Sequence, residues 1–290
     1  MKKMLFLILV MIAAAVSLAD EVRVEKDVAY LDADRKEKLD LYLPAKVEKG
    51  ERRPAVVIIH GGGWFAGDKA AKREQNIGNN LARAGYVCAS INYLLAAKKE
   101  ENFAKHLATV WPQHLHDCKT AVRFLRKNAD RYQIDADHIG AIGGSAGGHL
   151  TAMLGLTGSD DELDPTGPYG EYSCRVQAIV PMYGAHDLVA RARAKSVFDL
   201  MDEQQRECCV KASPVTYASR DDPPVLILHG TADATVPVKQ SELLHAALKK
   251  VGATTRHVIV EGAPHSFHLQ PAQRDLRKLV ISFFDKHLKR

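Results

Sequence analysis

Gly143-Gly144-Ser145-Ala146-Gly147 places a serine among small residues, between an apolar run, His138 to Ile142, and a stretch of helical period, His149 to Leu156. A strand that turns abruptly into a helix leaves a serine on a strained turn with its hydroxyl exposed and the helix's positive end beneath it. A glycine-rich turn without chemistry would use the same residue types, so the partners decide. A serine hydroxyl needs a base to take its proton, and the base needs an acid to fix its tautomer. The run Val225 to Leu228 ends in His229-Gly230-Thr231-Ala232-Asp233, and the run His257 to Val260 ends in Glu261-Gly262-Ala263-Pro264-His265-Ser266-Phe267. Asp233 and His265 therefore fall on successive loops past strand ends, in the chain order serine, acid, base.

The chain has 13 histidines, and position separates them. His257 lies within a strand pattern, His149 on the helix after the serine, and His229 where a buried strand-end histidine would bond locally. His268 is the nearest rival to His265. For the acid, Asp187 and Asp202 are alternatives, although Asp187 is placed to cap the segment after it. Upstream, His60-Gly61-Gly62-Gly63-Trp64 follows the apolar run Ala55 to Ile59. Glycines after a strand let backbone amides face a ligand. A phosphate-cradling loop is the competing reading, but no GKS or GKT partner follows. Beside the serine turn, the loop predicts an oxyanion hole built from the amides of Gly62, Gly63 and Ala146. Trp64, Tyr93 and Trp111 are candidates for lining the substrate side, and each could equally serve the core.

The elements that must position these groups are short. Val22 to Leu31 and Leu39 to Leu43 alternate apolar and polar residues, as an antiparallel pair does. Ala55 to Ile59, Tyr86 to Ile91, His138 to Ile142, Val176 to Val180, Val225 to Leu228 and His257 to Val260 are continuous apolar runs suited to buried parallel strands. Helical period marks Asn76 to Ala84, Leu115 to Tyr132, Ala146 to Leu156, Gln240 to Val251 and Ala272 to Lys286. The alternation predicts an α/β class: a doubly wound, mostly parallel sheet of about eight strands with helices on both faces. Inserts at Thr157 to Tyr172 and Ala190 to Ser213 are expected above the carboxyl ends of the strands.

Lys2 and Lys3 precede an apolar stretch, Met4 to Val16, and Ser17-Leu18-Ala19 offers a small-residue cleavage site. We expect residues 1–19 to be a signal peptide, 20–290 to be one domain, and the mature protein to be secreted or periplasmic. The stretch falls short of the roughly 20 residues that span a bilayer, so no stable membrane span is expected after cleavage. With 40 Lys plus Arg against 35 Asp plus Glu, scattered along the chain, no nucleic-acid partner is expected. No CxxC or HExxH spacing occurs, and neither a metal nor a cofactor is expected. Of the five cysteines, Cys88 and Cys118 sit in apolar runs and read as buried, whereas Cys174, Cys208 and Cys209 fall in polar stretches. In an oxidising compartment, Cys174 is placed to bridge to Cys208 or Cys209.

On these residues the chain resembles the short-chain esterases of the α/β-hydrolase superfamily. It is similar to the hormone-sensitive-lipase-like group and most of all to the acetyl-xylan and feruloyl (BD-FAE-like) branch of bacterial carbohydrate esterases. The resemblance runs through His60 to Trp64 with Gly67-Asp68-Lys69, Ile91-Asn92-Tyr93, Asp117-Cys118 to Asn128, Gly143 to His149, and Ser213-Pro214 to Phe267. It departs at Leu94, where that group usually carries arginine, which puts a structural salt bridge in question. The resemblance implies an α/β-hydrolase fold and hydrolysis of short acyl esters, acetyl first, on plant or algal polysaccharide or a small-molecule ester. A feruloyl esterase or an arylformamidase is the alternative, although formamidase chemistry belongs to the cytosol and the leader opposes it. A prolyl-oligopeptidase-like peptidase would need a propeller for which there is no room. A non-catalytic receptor would typically have lost one of the three residues.

Overall fold

A computed structural model of the protein describes residues 22–48, 50–158, 163–164 and 167–289. The expected leader lies outside the described residues. Eight strands form one sheet: β1 (Arg23–Ala29), β2 (Lys38–Leu43), β3 (Arg53–Ile59), β4 (Val87–Ile91), β5 (Ile134–Gly144), β6 (Ala178–Met182), β7 (Val225–Gly230) and β8 (Thr255–Val260). Their order is β1-β2-β4-β3-β5-β6-β7-β8, with β2 antiparallel to both its neighbours and every other pairing parallel. This is the doubly wound, mostly parallel sheet anticipated above. After β3 and β4 the chain returns across β3 to lay down β5, so the loops leaving β3 and β5 meet at the switch point where open sheets bind ligands.

Alternation along the strands divides the core in two. Ala55, Val57 and Ile59 face one layer and Val56 and Ile58 the other, as a side-chain period of two requires. The first layer is covered by α2 (Phe103–Val110), α3 (Gln113–Lys127), α5 (Ala146–Leu156) and α8 (Lys239–Lys250). The second is covered by α1 (Lys72–Arg83) and α9 (Arg277–Leu288), whose Ile77, Leu81, Val280 and Phe284 are fully buried. The predicted helix Leu115 to Tyr132 is divided at Asn128 into α3 and the short α4 (Ala129–Tyr132), and α9 starts five residues after Ala272. Helix α2 had no counterpart in the sequence reading. It is a two-turn segment held at its start by the Asn102 side chain, which accepts from the Ala104 and Lys105 amides. The insert at 190–213 folds over the sheet end as α6 (Leu188–Ala194) and α7 (Glu203–Lys211), capped by Asp187 and Asp202. Among the described residues no helix is long and apolar enough to cross a membrane.

The anticipated cysteine bridge is corrected. All five cysteines are free and buried. Cys208 and Cys209 turn inward from α7 into the first core layer, while the Cys174 thiol donates to Asp164. Polar sequence neighbours do not report which way a helix residue faces.

Leu94 adjoins a buried salt bridge made by other residues. Arg35 forms a two-pronged pair with the fully buried Asp117, at 3.1 and 2.7 Å, and the Leu94 amide donates to the same carboxylate at 2.8 Å. Removing the carboxylate leaves the guanidinium with Glu37 alone and the Leu94 amide without its acceptor. Asp117→Ala is therefore expected to cost about 3 kcal/mol in urea unfolding, and a loss below about 1 kcal/mol would show that the pair adds little to stability.

Candidate active site

Strand β5 delivers Ser145 to the sheet's carboxyl edge, and the chain turns into α5 with φ 60° and ψ −121° at this residue. That region is costly for a side chain, and two contacts hold it. The Ser145 amide donates to the Met182 carbonyl at 3.0 Å, and the elbow packs directly on β3. A Cβ on Gly143 would lie 2.6 Å from the carbonyl oxygens of Ile59 and Gly147, and one on Gly147 would collide with the Ile59 carbonyl. Small residues flank the serine because backbone occupies the space.

Asp233 and His265 reach Ser145 from the loops after β7 and β8. His265 Nδ1 is 2.6 Å from Asp233 Oδ2, and Nε2 is 2.9 Å from Ser145 Oγ. A carboxylate only accepts, so Nδ1 carries the proton and Nε2 is left to accept from the hydroxyl. The Asp233 side chain is buried. Burial alone would raise its pKa. Hydrogen bonds from His229, His265 and the Val236 amide outweigh that and hold the carboxyl well below the usual carboxylate range. His229 donates through Nε2 to the Val236 carbonyl at 2.9 Å, with Asp233 Oδ2 at 3.3 Å, and accepts from the Ser241 hydroxyl at 2.7 Å. The sequence reading gave His229 a local bond only; it also braces the acid. The rivals are occupied elsewhere. Asp187 and Asp202 cap helices, and His268 accepts from the Gln270 amide.

The glycine loop completes the floor. Gly62, Gly63 and Trp64 all have positive φ, and the Phe65 and Ala66 amides fold back onto the Gly62 carbonyl. Among the described residues the amides of Gly62, Gly63 and Ala146 have no intramolecular acceptor, and all three residues line a cleft of about 550 Å³ with Ser145 and His265. Trp64 lines it too. Its indole donates at 3.3 Å to His149 Nδ1, while His149 Nε2 donates to the Ala212 carbonyl at 2.6 Å.

Two of the candidate lining residues are corrected. Tyr93 is buried beneath the loop, stacked on His60 at 4.3 Å, and its hydroxyl donates to the His60 carbonyl at 2.9 Å. Trp111 faces a separate depression beside Pro112, Leu163 and Cys208. An aromatic near a motif is as readily a brace as a wall. The Gly67-Asp68-Lys69 and Asn92 motifs form one bracket: Asn92 bonds Asp68 and the Lys69 amide, and the Lys69 ammonium is held by Asp40 and Asp27.

The BD-FAE family model matches residues 39–248. The chain belongs to the BD-FAE family. It is 30% identical over 261 residues to esterase LipQ of Mycobacterium tuberculosis, an alignment covering 86% of this chain and 58% of LipQ. The BD-FAE chain thus spans little more than half the length of that relative. Among solved structures it is similar to a truncated form of a carbohydrate esterase from gut microbiota, with a TM-score of 0.78 and 27% identity over 94% of this chain and 98% of the other. It is also similar to an acetyl ester-xyloside bifunctional hydrolase from Caldicellulosiruptor lactoaceticus, with a TM-score of 0.71 and 25% identity over 87% and 89%. The α/β-hydrolase fold of this BD-FAE protein follows from its sheet and these likenesses.

Three further residues of the BD-FAE site were not singled out from sequence. Tyr183, one residue past β6, sets its ring edge against His265 at 5.0 Å and donates to the Phe267 carbonyl. Arg73 lines the cleft with its charge met by Glu74, and Arg191 lines it from α6. A place just past a strand end was the signal that could have found Tyr183, and a place in the insert the one for Arg191, but a single arginine in a polar segment carries no signal of its own.

Burial lowers the pKa of both His60 and His149 to about 4, against weaker opposing hydrogen bonds to the Gly61 and Ala212 carbonyls. Both are neutral in the folded protein while the unfolded chain takes up protons near pH 6.5. Stability is therefore full above that pH and is lost as pH falls from about 6.5 to about 4, by up to about 3 kcal/mol per histidine. Urea midpoints measured across this window should fall steeply, and His149→Gln should flatten the slope. A wild-type profile level from pH 6.5 to 4 would contradict this account.

Proposed function

We propose that the protein is a serine ester hydrolase with Ser145 as nucleophile, His265 as general base and Asp233 as orienting acid. The observation that carries this reading is the unbroken chain from Ser145 Oγ through His265 to Asp233, beside three amides with no acceptor among the described residues. As Ser145 Oγ attacks the ester carbonyl, its proton passes to His265 Nε2. The imidazolium that forms is stabilised by Asp233, and the oxyanion is met by the Gly62, Gly63 and Ala146 amides. Collapse expels the alcohol, which takes the proton from His265 and leaves an acyl-enzyme. Water, deprotonated by the same nitrogen, then releases the acid and restores the hydroxyl.

The substrate we propose is a short acyl ester, acetyl first, on plant or algal polysaccharide. Gly62 and Gly63 bring loop backbone to the cleft wall beside Ser145, and we take this to suit a small acyl group. The likeness to an acetyl ester-xyloside hydrolase and to a carbohydrate esterase supports the carbohydrate side. The leader-like residues 1–19 support export to the periplasm or medium, where such polymers are met. A second reading, a feruloyl group, is favoured by Trp64, Phe65 and Phe103 in the cleft.

Ser145→Ala should lower ester turnover by about four to six orders of magnitude with the fold unchanged by circular dichroism, since triad members act as a unit. Retention of more than about a tenth of wild-type turnover would remove Ser145 from this role. Across aryl esters of increasing acyl length, kcat/KM should peak at acetate to butyrate, because each methylene contributes about 0.8 kcal/mol only where it finds apolar surface. A maximum at long chains would overturn the acetyl assignment, and faster release of ferulate than acetate from plant polymer would favour the second reading.

A further inference from the structure

Arg73, Lys99, Arg191 and Lys195 line the cleft that holds Ser145 and His265, and no aspartate or glutamate lines it with them among the described residues. Arg73 is neutralised by Glu74, which accepts from both Nε and Nη2. Lys99, Arg191 and Lys195 form no ion pair among the described residues, so the cleft carries net positive charge.

Arg191 is the informative member. Its guanidinium lies over the Phe103 ring at 5.4 Å, and Nη2 donates to the Thr235 carbonyl at 3.3 Å. Nε and Nη1 are buried and have no partner. Thr235 lies two residues past Asp233, so this cation rests against the loop that carries the acid. Lys195 follows four residues later, just past the end of α6, where its amide still donates to the Arg191 carbonyl at 3.1 Å, and both residues line the cleft. Lys99 lies over Phe65 at 6.0 Å. Solvated lysines alone would say little, since charged faces are ordinary. A half-buried guanidinium with two unpartnered nitrogens is not ordinary, because desolvating a cation costs more than a ring face and one carbonyl return. Asp233 acts on Arg191 only at a distance and is engaged by His265 and His229, and among the described residues no carboxylate bonds the guanidinium. A substrate oxyanion would complete the set, and guanidinium groups are suited to carboxylate and sulfate oxygens.

We infer that the cleft selects acyl esters on acidic carbohydrate, with a sugar oxyanion, carboxylate or sulfate, held by Arg191, Lys195 and Lys99 while the acyl group faces Ser145. The inference rests on the esterase reading and deepens it. Neutral polymer would leave these cations without a partner, and a polyanion would also be drawn toward the cleft over a distance.

The test is acetate release from matched pairs that differ only in charge. One pair is acetylated galacturonate oligomers with free carboxylates and the same oligomers with methyl-esterified carboxylates. The other is acetylated xylan oligomers with and without added sulfate. The kcat/KM of the wild-type protein should be at least about tenfold higher on the charged member of one pair or both, and the pair that shows it identifies the oxyanion. That ratio should fall toward one in Arg191→Gln and in Lys195→Gln, and also in wild type as salt rises from about 0.05 to about 0.5 M. The salt series decides the matter should a variant not fold. Equal or lower kcat/KM on the charged member of both pairs overturns the inference, as does a preference unchanged by both substitutions and by salt. 4-Nitrophenyl acetate, with Ser145→Ala as control, separates the two proposals. Serine-dependent hydrolysis of it without charge preference overturns this inference alone, and no hydrolysis of any ester overturns the esterase reading with it.

Discussion

At Ser145 the backbone takes a left-handed turn between β5 and α5 while its amide reaches across to the Met182 carbonyl at the end of β6. The same turn presses Gly147 against the Ile59 carbonyl at the end of β3. Three strand ends are thereby fixed against one another through backbone contact, with no side chain between them. The glycine loop leaves from β3 and Tyr183 follows β6, so the amides that would donate to the oxyanion and the support for His265 inherit their positions from this one elbow. Packing at interior density makes such a junction hard to deform, and a strained turn can persist there because its surroundings determine it.

Around the elbow, charge is sorted by depth. Asp233 is buried and ionised, and it is reached by His265 and His229 and by the Thr235 and Val236 amides. Beneath the glycine loop and α5, His60 and His149 are kept neutral by burial and serve as hydrogen-bonding spacers, with Tyr93 and Trp64 as their aromatic partners. The outer cleft is basic. Arg191 brings that basic wall up to the loop of the acid, where it donates to the Thr235 carbonyl.

The sheet supplies the frame, and the proposed substrate preference comes from segments that leave its carboxyl edge. The glycine loop, the elbow and the two post-strand loops are built on the sheet itself. Arg191 comes from α6 and Lys195 from the residue that caps its end, both between β6 and β7, and Lys99 comes from the segment after β4. A rigid backbone site can therefore keep its chemistry while residues on the connecting segments set which alcohol enters.

Strand runs, the elbow and the order serine, acid, base were readable from the sequence, because period, glycine spacing and strand-end position are local properties. So was the capping role of Asp187, a short-range bond to the amide three residues on. Local pattern could not say which way a side chain turns once elements pack. Tyr93 and Trp111 have the right chemistry for a cleft wall, yet one is a buried brace and the other faces a different depression. The cysteines of α7 sit among polar residues but face inward. The salt bridge at Asp117 is made by Arg35, 82 positions away in sequence, where no spacing rule could look for it. Residues far apart in the chain, Arg73, Lys99, Arg191 and Lys195, share one cleft wall only because the sheet order brings the loops and inserts to the same edge. That convergence is a property of topology, and the tertiary structure alone decides it.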